Sequence, residues 1–188
     1  MPKRKPETAA KMTTSKIIAL SAVTSAITGL GFLLTAPIPL IPGAIHWRVL
    51  AFLPCVFGIL FGAKIGFISG ALGNTLWALL GGYFNLATPI FDLIGVGLTG
   101  YIPGKFVKPE ECRKTKGLGK AAFVSLIAGI VMVPIVAIGF ELVGVAPFGP
   151  AVYMLALSDL PPILIGTPIV LAAVVPALQA RGLLKERW

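Results

Sequence analysis

Five polar residues stand in or beside otherwise apolar stretches of this sequence, and their chemistry points most directly to a function. They are Arg48, Asn74, Asp92, Glu141 and Asp159. In a membrane segment each such side chain costs free energy in lipid, so we expect it to face water or the interior of a helix bundle. A guanidinium binds carboxylates and phosphates through charge-assisted hydrogen bonds, and amide or carboxylate groups orient the donors and acceptors of a heterocycle. This combination predicts a binding site for a small polar molecule.

An imidazole and two aromatic rings extend the predicted site. His46, Trp77 and Tyr83 can be placed near the same level as the polar residues. Small-molecule sites are mostly apolar with a few placed polar groups, and aromatic walls suit a planar ligand. A second interpretation stays open, in which the outermost acids, Asp92 and Glu141, lie in the lipid headgroup region and the rings form an interfacial aromatic belt.

Enzymatic functions find no support in the sequence. The chain has one histidine, His46, which excludes a multi-histidine metal site. Sequence motifs of serine hydrolases, zinc proteases, phosphate-binding loops and lipid-headgroup transferases are also absent. Cys55 and Cys112 would lie in a membrane span and in a cytoplasmic loop, so no disulfide framework is implied. We therefore expect no catalytic residue, no metal and no cofactor.

Six apolar stretches must position these side chains. With 56% hydrophobic and only 12% charged residues and a mean hydropathy of +0.93, the chain requires a bilayer as its solvent. The stretches are too long and continuous for the strands of an outer-membrane barrel. We predict an all-α integral membrane protein, a compact bundle of six transmembrane helices. The predicted stretches are 16–36, 48–62, 65–82, 88–104, 120–144 and 150–180.

The distribution of basic residues predicts the orientation of the bundle. If both termini are cytoplasmic, fifteen of the sixteen Lys and Arg residues fall on the cytoplasmic side, and Arg48 alone falls outside. The net charge of +9 therefore needs no nucleic-acid partner. We expect a basic cytoplasmic segment at 1–15, a transmembrane domain at 16–181 and a cytoplasmic tail at 182–188. The loop 105–119 is expected inside.

This topology places the five polar residues in the outer half of the membrane. At about 1.5 Å per residue, Asp92 and Glu141 lie roughly 6 Å below the outer helix ends, and Asn74 and Asp159 lie roughly 12–14 Å deep. The outer connection 37–47, which is rich in proline, is predicted to be stiff and extended and to cap a cavity, or to be only a short turn anchored by an interfacial Trp.

Prolines are also predicted to interrupt the last two spans. Pro134 lies in the fifth stretch, and Pro161, Pro162 and Pro168 lie in the sixth. A proline within a helix removes a backbone hydrogen bond, and the freed carbonyls must find other partners or line a cavity. A helix break just after Asp159 would favour a site at that depth.

Small residues mark the first span. Ala22 and Ala26 are four residues apart and share one helix face. Such pairs allow close approach of a neighbouring helix, either inside the bundle or in a partner protein. Glycines are frequent in the third and fourth stretches, which predicts tight packing there.

Several of these features together resemble a known family. A basic N-terminus, the Ala22 and Ala26 pair, a proline-rich outer loop, the run 53–66 and the sequence Gly-Tyr-Ile-Pro-Gly at 100–104 are similar to the S components of energy-coupling factor (ECF) transporters. The resemblance covers essentially the whole chain. It implies a multi-pass protein of a prokaryotic cytoplasmic membrane that captures a vitamin or related micronutrient from outside.

The same resemblance implies partners. A transmembrane T component and two ATPase subunits would power release of the micronutrient, and Ala22 and Ala26 would contact the T component. Two other functions remain open from the residues alone. One is a stand-alone carrier that couples transport to protons or ions through its acidic residues, and the other is a structural membrane protein without a ligand.

Overall fold

The computed structural model describes residues 12–35, 38–41, 45–82, 84 and 89–182. Within these residues the chain forms six α-helices, one short 3-10 helix and one small β-hairpin. The helices are α1 Thr14–Thr35, α2 Leu53–Phe61, α3 Ala63–Gly81, α4 Pro89–Phe106, α5 Thr115–Leu142 and α6 Phe148–Ala180. The all-α class and the number of helices are confirmed. Residues 1–11 and 183–188, which include most of the predicted terminal segments, lie outside the described residues.

Within the described part of the chain, three helices, α1, α5 and α6, are long and apolar enough to cross a membrane. The second predicted stretch differs from the structure, because α2 has nine residues and begins at Leu53 rather than near 48. Nine residues rise about 14 Å, less than half of a hydrocarbon core of about 30 Å. A turn precedes α2, in which Ala51 N–H donates to the Arg48 carbonyl at 2.9 Å. Gly62, with φ of +107°, then ends α2 and lets α3 begin at the next residue.

The predicted interruptions at proline are wrong. Helix α6 runs for 33 residues, about 50 Å, through Pro161, Pro162, Pro168 and Pro176. Helix α5 likewise continues through Pro134. A proline removes one N–H from a helix, and packing against neighbouring helices can hold the remaining backbone in place. Asp159 therefore lies within a continuous helix, and no helix break marks its depth.

Glycines bring α2, α3 and α4 into backbone contact. A methyl group added at Gly58 would overlap the carbonyl oxygen of Gly100, and one added at Gly100 would overlap the carbonyl oxygen of Gly66. Gly70 meets the carbonyl of Val96 in the same way. These contacts confirm the predicted tight packing, and they show that only residues without a side chain fit at the crossing of the three helices.

One face of α1 is joined to α3 by hydroxyl groups. Thr28 Oγ1 and Ser69 Oγ are 2.9 Å apart, and Ser25 Oγ donates to the Ile68 carbonyl at 3.2 Å. Ala22 and Ala26 are both exposed. Internal packing therefore does not account for the small-residue pair.

The end of the bundle that holds the 3-10 helix, Pro109–Arg113, has an apolar interior. Val107 and Cys112 are buried and pack with residues of α2, α5 and α6, including Ile59, Ala121 and Leu171. Cys112 Sγ donates to the Lys108 carbonyl at 3.7 Å. Cys112 thus joins the apolar core, and its acidic neighbour Glu111 pairs with Lys120 at 2.7 Å.

Candidate functional site: a buried polar cluster beneath the hairpin

The hairpin consists of strand β1, Pro39–Ile41, and strand β2, Ile45–His46, paired antiparallel. Pro39 is opposite His46, and Ile41 is opposite Ile45. The hairpin continues to Trp47, whose N–H donates to the Ile38 carbonyl at 3.0 Å. The described part of the outer connection is therefore extended, as the prolines predict. Arg48 follows directly, so the hairpin fixes where its side chain starts.

Arg48 is buried, with 6% of its surface exposed. Its Nε donates to Asp159 Oδ1 at 3.0 Å and its Nη2 donates to Asp159 Oδ2, which makes a two-pronged ion pair between the segment after β2 and α6. Its Nη1 donates to Asn74 Oδ1 at 2.9 Å and so reaches α3. Asn74 and Asp159 are 3% and 1% exposed. One guanidinium therefore joins two helices to the loop between α1 and α2.

Ser158 fastens the hairpin to α6. Its Oγ accepts the Arg48 backbone N–H at 3.1 Å. Its own proton lies within reach of the His46 carbonyl at 2.8 Å and of Asp159 Oδ1 at 2.7 Å, and one hydroxyl donates to one of them at a time. We call Arg48, Asn74, Asp159, Ser158 and His46 the Arg48 cluster.

Two aromatic rings enclose the guanidinium. The Arg48 Cζ atom lies 5.5 Å from the ring centre of Phe32 and 5.9 Å from that of Trp77. His46 contacts Trp77 edge to face, with ring centres 5.8 Å apart. Cations over aromatic faces are stabilised by the charge distribution of the ring, and more strongly away from water. Trp77 therefore helps to hold Arg48 and His46, in addition to any contact with a ligand.

The electrostatics of the site are balanced. The carboxylate of Asp159 compensates the positive charge of Arg48 at direct contact. Burial, and next the nearby charge of Arg48, lower the pKa of His46 from its usual value of 6.5. The imidazole is therefore neutral at pH 7, and the cluster as a whole carries no net charge.

Of the predicted ligand-binding residues, five come together. His46, Arg48, Asn74, Trp77 and Asp159 are in mutual contact through the bonds and ring contacts described above.

The structure does not bring the other predicted residues to this cluster. Asp92 lies half-exposed in the first turn of α4, and Glu141 lies exposed at the end of α5. Both positions agree with the alternative interpretation, in which these acids lie in the headgroup region. Tyr83 lies outside the described residues.

Two residues of the site were missed by sequence reasoning. Ser158 precedes Asp159 in a helix of ordinary apolar composition, and a single serine there carries no signal of its own. Phe32 lies on the same face of α1 as the buried Thr28 and Gly29, so helical spacing alone predicts its burial but not its contact with Arg48.

The polar groups of the site form hydrogen bonds and an ion pair with one another. Among the residues that the structure describes, no group of three or more His, Cys, Asp or Glu side chains is placed to hold a metal ion. The cluster offers hydrogen-bond donors and acceptors in a buried, aromatic setting without an unbalanced charge.

The fold and the site together define a helical protein with a buried polar cluster at one end and three helices able to cross a membrane. A comparison with protein-family models matches residues 11–178 to the family described as "ECF-type riboflavin transporter, S component". The chain belongs to this family, which confirms the resemblance seen in the sequence. Neither the comparison with curated proteins nor that with solved structures found a match. The family comprises multi-pass membrane subunits that capture vitamins for ECF transport, and it is not an enzyme family.

Proposed function

We propose that this chain captures a neutral, planar vitamin of the riboflavin type from outside the cell, and that ECF partner subunits drive its uptake. The proposed topology is a six-helix bundle at 16–181 in a prokaryotic cytoplasmic membrane, with both termini inside. It is supported by the basic residues, of which Arg48 alone falls on the outer side. In this orientation the Arg48 cluster lies in the outer half of the membrane, beneath the hairpin.

The observation that carries the proposal is the charge balance of the cluster. A lone arginine would favour an anionic ligand, but the two-pronged pair with Asp159 already compensates Arg48. Binding an anion here would bury an additional uncompensated charge, which is costly. A neutral heterocycle with carbonyl and ring-nitrogen acceptors avoids that cost. Arg48 alone is compatible with an anionic ligand or a polar heterocycle, and its pairing with Asp159 favours a neutral heterocycle.

The cluster still has donors to offer such a ligand. A guanidinium has five N–H groups, and three of those of Arg48 point to Asp159 and Asn74. The remaining two, together with the amide group of Asn74, can donate to ring acceptors. Because the ion pair and Ser158 fix these groups in place, little entropy is lost when the ligand binds.

Titration of the purified protein with riboflavin, followed by flavin fluorescence, tests the proposal. The informative variant is Asn74→Ala, since Asn74 contributes a hydrogen bond and no net charge. The substitution leaves a buried acceptor of the ligand unpaired, which costs about 1–3 kcal/mol, so we expect affinity to fall roughly five- to 150-fold. Lys116→Gln, at the exposed start of α5, is the control and should bind as the parent does. Equal affinity of Asn74→Ala and parent, at equal thermal stability, would place the ligand elsewhere.

The exposed alanine face of α1 is the proposed contact with the T component. Replacing Ala22 or Ala26 with leucine should block close helix approach and leave the Arg48 cluster intact. We expect ATP-dependent uptake to fall while riboflavin affinity stays constant. Ala172→Leu is a matched control, because Ala172 is an exposed alanine on α6. Equal losses of uptake and affinity in the α1 variants would show that these alanines support the fold instead.

A further inference from the structure

A second concave site lies on the side of the bundle, between α3 and α4. It has a volume of about 400 Å³ and is lined by Lys64, Phe67 and Ile68 of α3 and by Leu98 and Tyr101 of α4. Lys64, Phe67 and Ile68 are spaced to share one face of α3, and Leu98, Tyr101 and Lys105 share one face of α4. We call this site the α3–α4 groove.

The walls of the α3–α4 groove are shaped by aromatic packing. The rings of Phe67 and Tyr101 meet edge to face with centres 6.4 Å apart. Gly97 allows this arrangement, because a methyl group there would come within 2.7 Å of the Phe67 ring. The groove is thus a built apolar surface rather than a chance gap between mobile side chains.

Each of the two helix faces that line the groove ends in a lysine, and the two lysines lie at the same end of the bundle. Lys64 and Lys105 are exposed, and Lys105 Nζ lies 5.7 Å from the ring centre of Tyr101, at the mouth of the groove. Lys64 lies about 15 Å from Asn74 along the axis of α3, so the groove is well separated from the Arg48 cluster. With the orientation proposed above, the two lysines lie at the level of the cytoplasmic lipid headgroups.

We propose that the α3–α4 groove binds one anionic phospholipid of the cytoplasmic leaflet. An acyl chain lies along Phe67, Ile68 and Leu98, and the phosphate lies between the ammonium groups of Lys64 and Lys105. The apolar walls provide nothing to orient a polar heterocycle, whereas the cationic mouth complements an anionic headgroup. Basic residues near the cytoplasmic surface of a membrane attract anionic lipids in this way.

Native mass spectrometry of the full chain in mild detergent tests this proposal. Phosphatidylglycerol and phosphatidylcholine with identical acyl chains are added in turn, and the retained lipid is counted. We expect one phosphatidylglycerol per chain and weaker retention of phosphatidylcholine. Each lysine near an anionic membrane surface contributes about 1 kcal/mol, which is about fivefold in lipid affinity. Lys64→Gln and Lys105→Gln should therefore each weaken phosphatidylglycerol binding several-fold. Lys116→Gln is the matched control and should bind as the parent does.

Filling the groove provides an independent check. Leu98→Trp should abolish retention of both lipids and leave riboflavin affinity unchanged, since the Arg48 cluster is distant. Equal retention of the two lipids by the parent protein would overturn the proposal. So would a Leu98→Trp variant that keeps its lipid but no longer assembles with the T component, because the groove would then be a protein contact. Neither result bears on the riboflavin titration, so the two proposals can fail separately.

Discussion

The two ends of the bundle are built in opposite ways. Beneath the hairpin, an ion pair, an amide, a hydroxyl and an imidazole are gathered between α3 and α6. At the other end, apolar side chains from α2, α5, α6 and the 3-10 helix pack into a hydrophobic core. The two ends are therefore held by different contacts: hydrogen bonds and an ion pair hold the end beneath the hairpin, and apolar packing holds the other.

The two ends also depend on different kinds of contact. The Arg48 cluster relies on a few strong, directional bonds that must all be satisfied, because a buried charge left alone is costly. Away from the Arg48 cluster, the crossing of α2, α3 and α4 relies on backbone contact at Gly58, Gly66 and Gly100. A side chain at any of these positions would overlap a backbone carbonyl. The following predictions separate these two sources of stability.

The largest effect is expected from breaking the ion pair. Asp159→Ala leaves Arg48 buried without its counter-charge, and loss of one partner of a buried pair typically costs about 3–5 kcal/mol. We therefore expect a marked fall in the melting temperature of the detergent-solubilised protein, together with loss of riboflavin binding. This expectation replaces the simpler view from the sequence, in which Arg48 and Asp159 act only on the ligand.

The control for this variant is the double substitution Arg48→Met with Asp159→Leu. Replacing both partners by apolar residues removes the buried charges together, so stability should recover substantially while binding stays lost. If the double variant is as unstable as Asp159→Ala, the pair does not carry the stability of the outer end.

The next largest effect is expected at the glycine crossing. Gly100→Ala forces a methyl group against the Gly66 carbonyl, and overpacking of this kind typically costs about 1–3 kcal/mol. Gly119→Ala is the matched control, because that glycine lies in α5 with no atom near the added methyl group. Alanine is the better helix former by about 1 kcal/mol, so the control should melt slightly higher than the parent. An unchanged melting temperature of Gly100→Ala would show that α3 and α4 can move apart without loss of stability.

The smallest effect is a pH dependence at the outer end. The pKa of His46 is lowered in the folded protein, so the unfolded chain takes up its proton first as the pH falls below 6.5. Stability is therefore complete above pH 6.5 and is lost as the pH falls toward the folded pKa. Melting temperatures at pH 7.5 and 5.5 should differ more for the parent than for His46→Gln. His46 is the single histidine of the chain. If His46→Gln shows the same difference in melting temperature as the parent, groups other than histidine cause the pH dependence.

Much of this account follows from the sequence for physical reasons. Hydropathy and the rarity of charges mark the helices, and the isolated polar residues Arg48, Asn74 and Asp159 mark the site because lipid tolerates them poorly. Depth along each helix was enough to predict that these three converge. That Arg48 pairs with Asp159 and Asn74 depends on side-chain geometry, which residue spacing along the sequence cannot predict.

Other features could not be predicted because tertiary packing decides them. Prolines in α6 favour a break locally, yet the helix is continuous where its neighbours support it. The turn before Leu53 shortens α2, although the apolar stretch suggests a longer helix. Asp92 and Glu141 are isolated acids in apolar stretches like Asp159, and only the structure shows that Asp159 is buried whereas Asp92 is half-exposed and Glu141 is exposed.

The central claim is that the outer end holds a neutral riboflavin-type vitamin. Mass spectrometry of the small molecule released from the purified, detergent-solubilised protein tests this claim most directly, with the Asn74→Ala variant purified in parallel. The account predicts an uncharged planar heterocycle in one-to-one amount with the parent protein and a strongly reduced amount with the variant. An anionic ligand, or the same amount of ligand in both preparations, would contradict it.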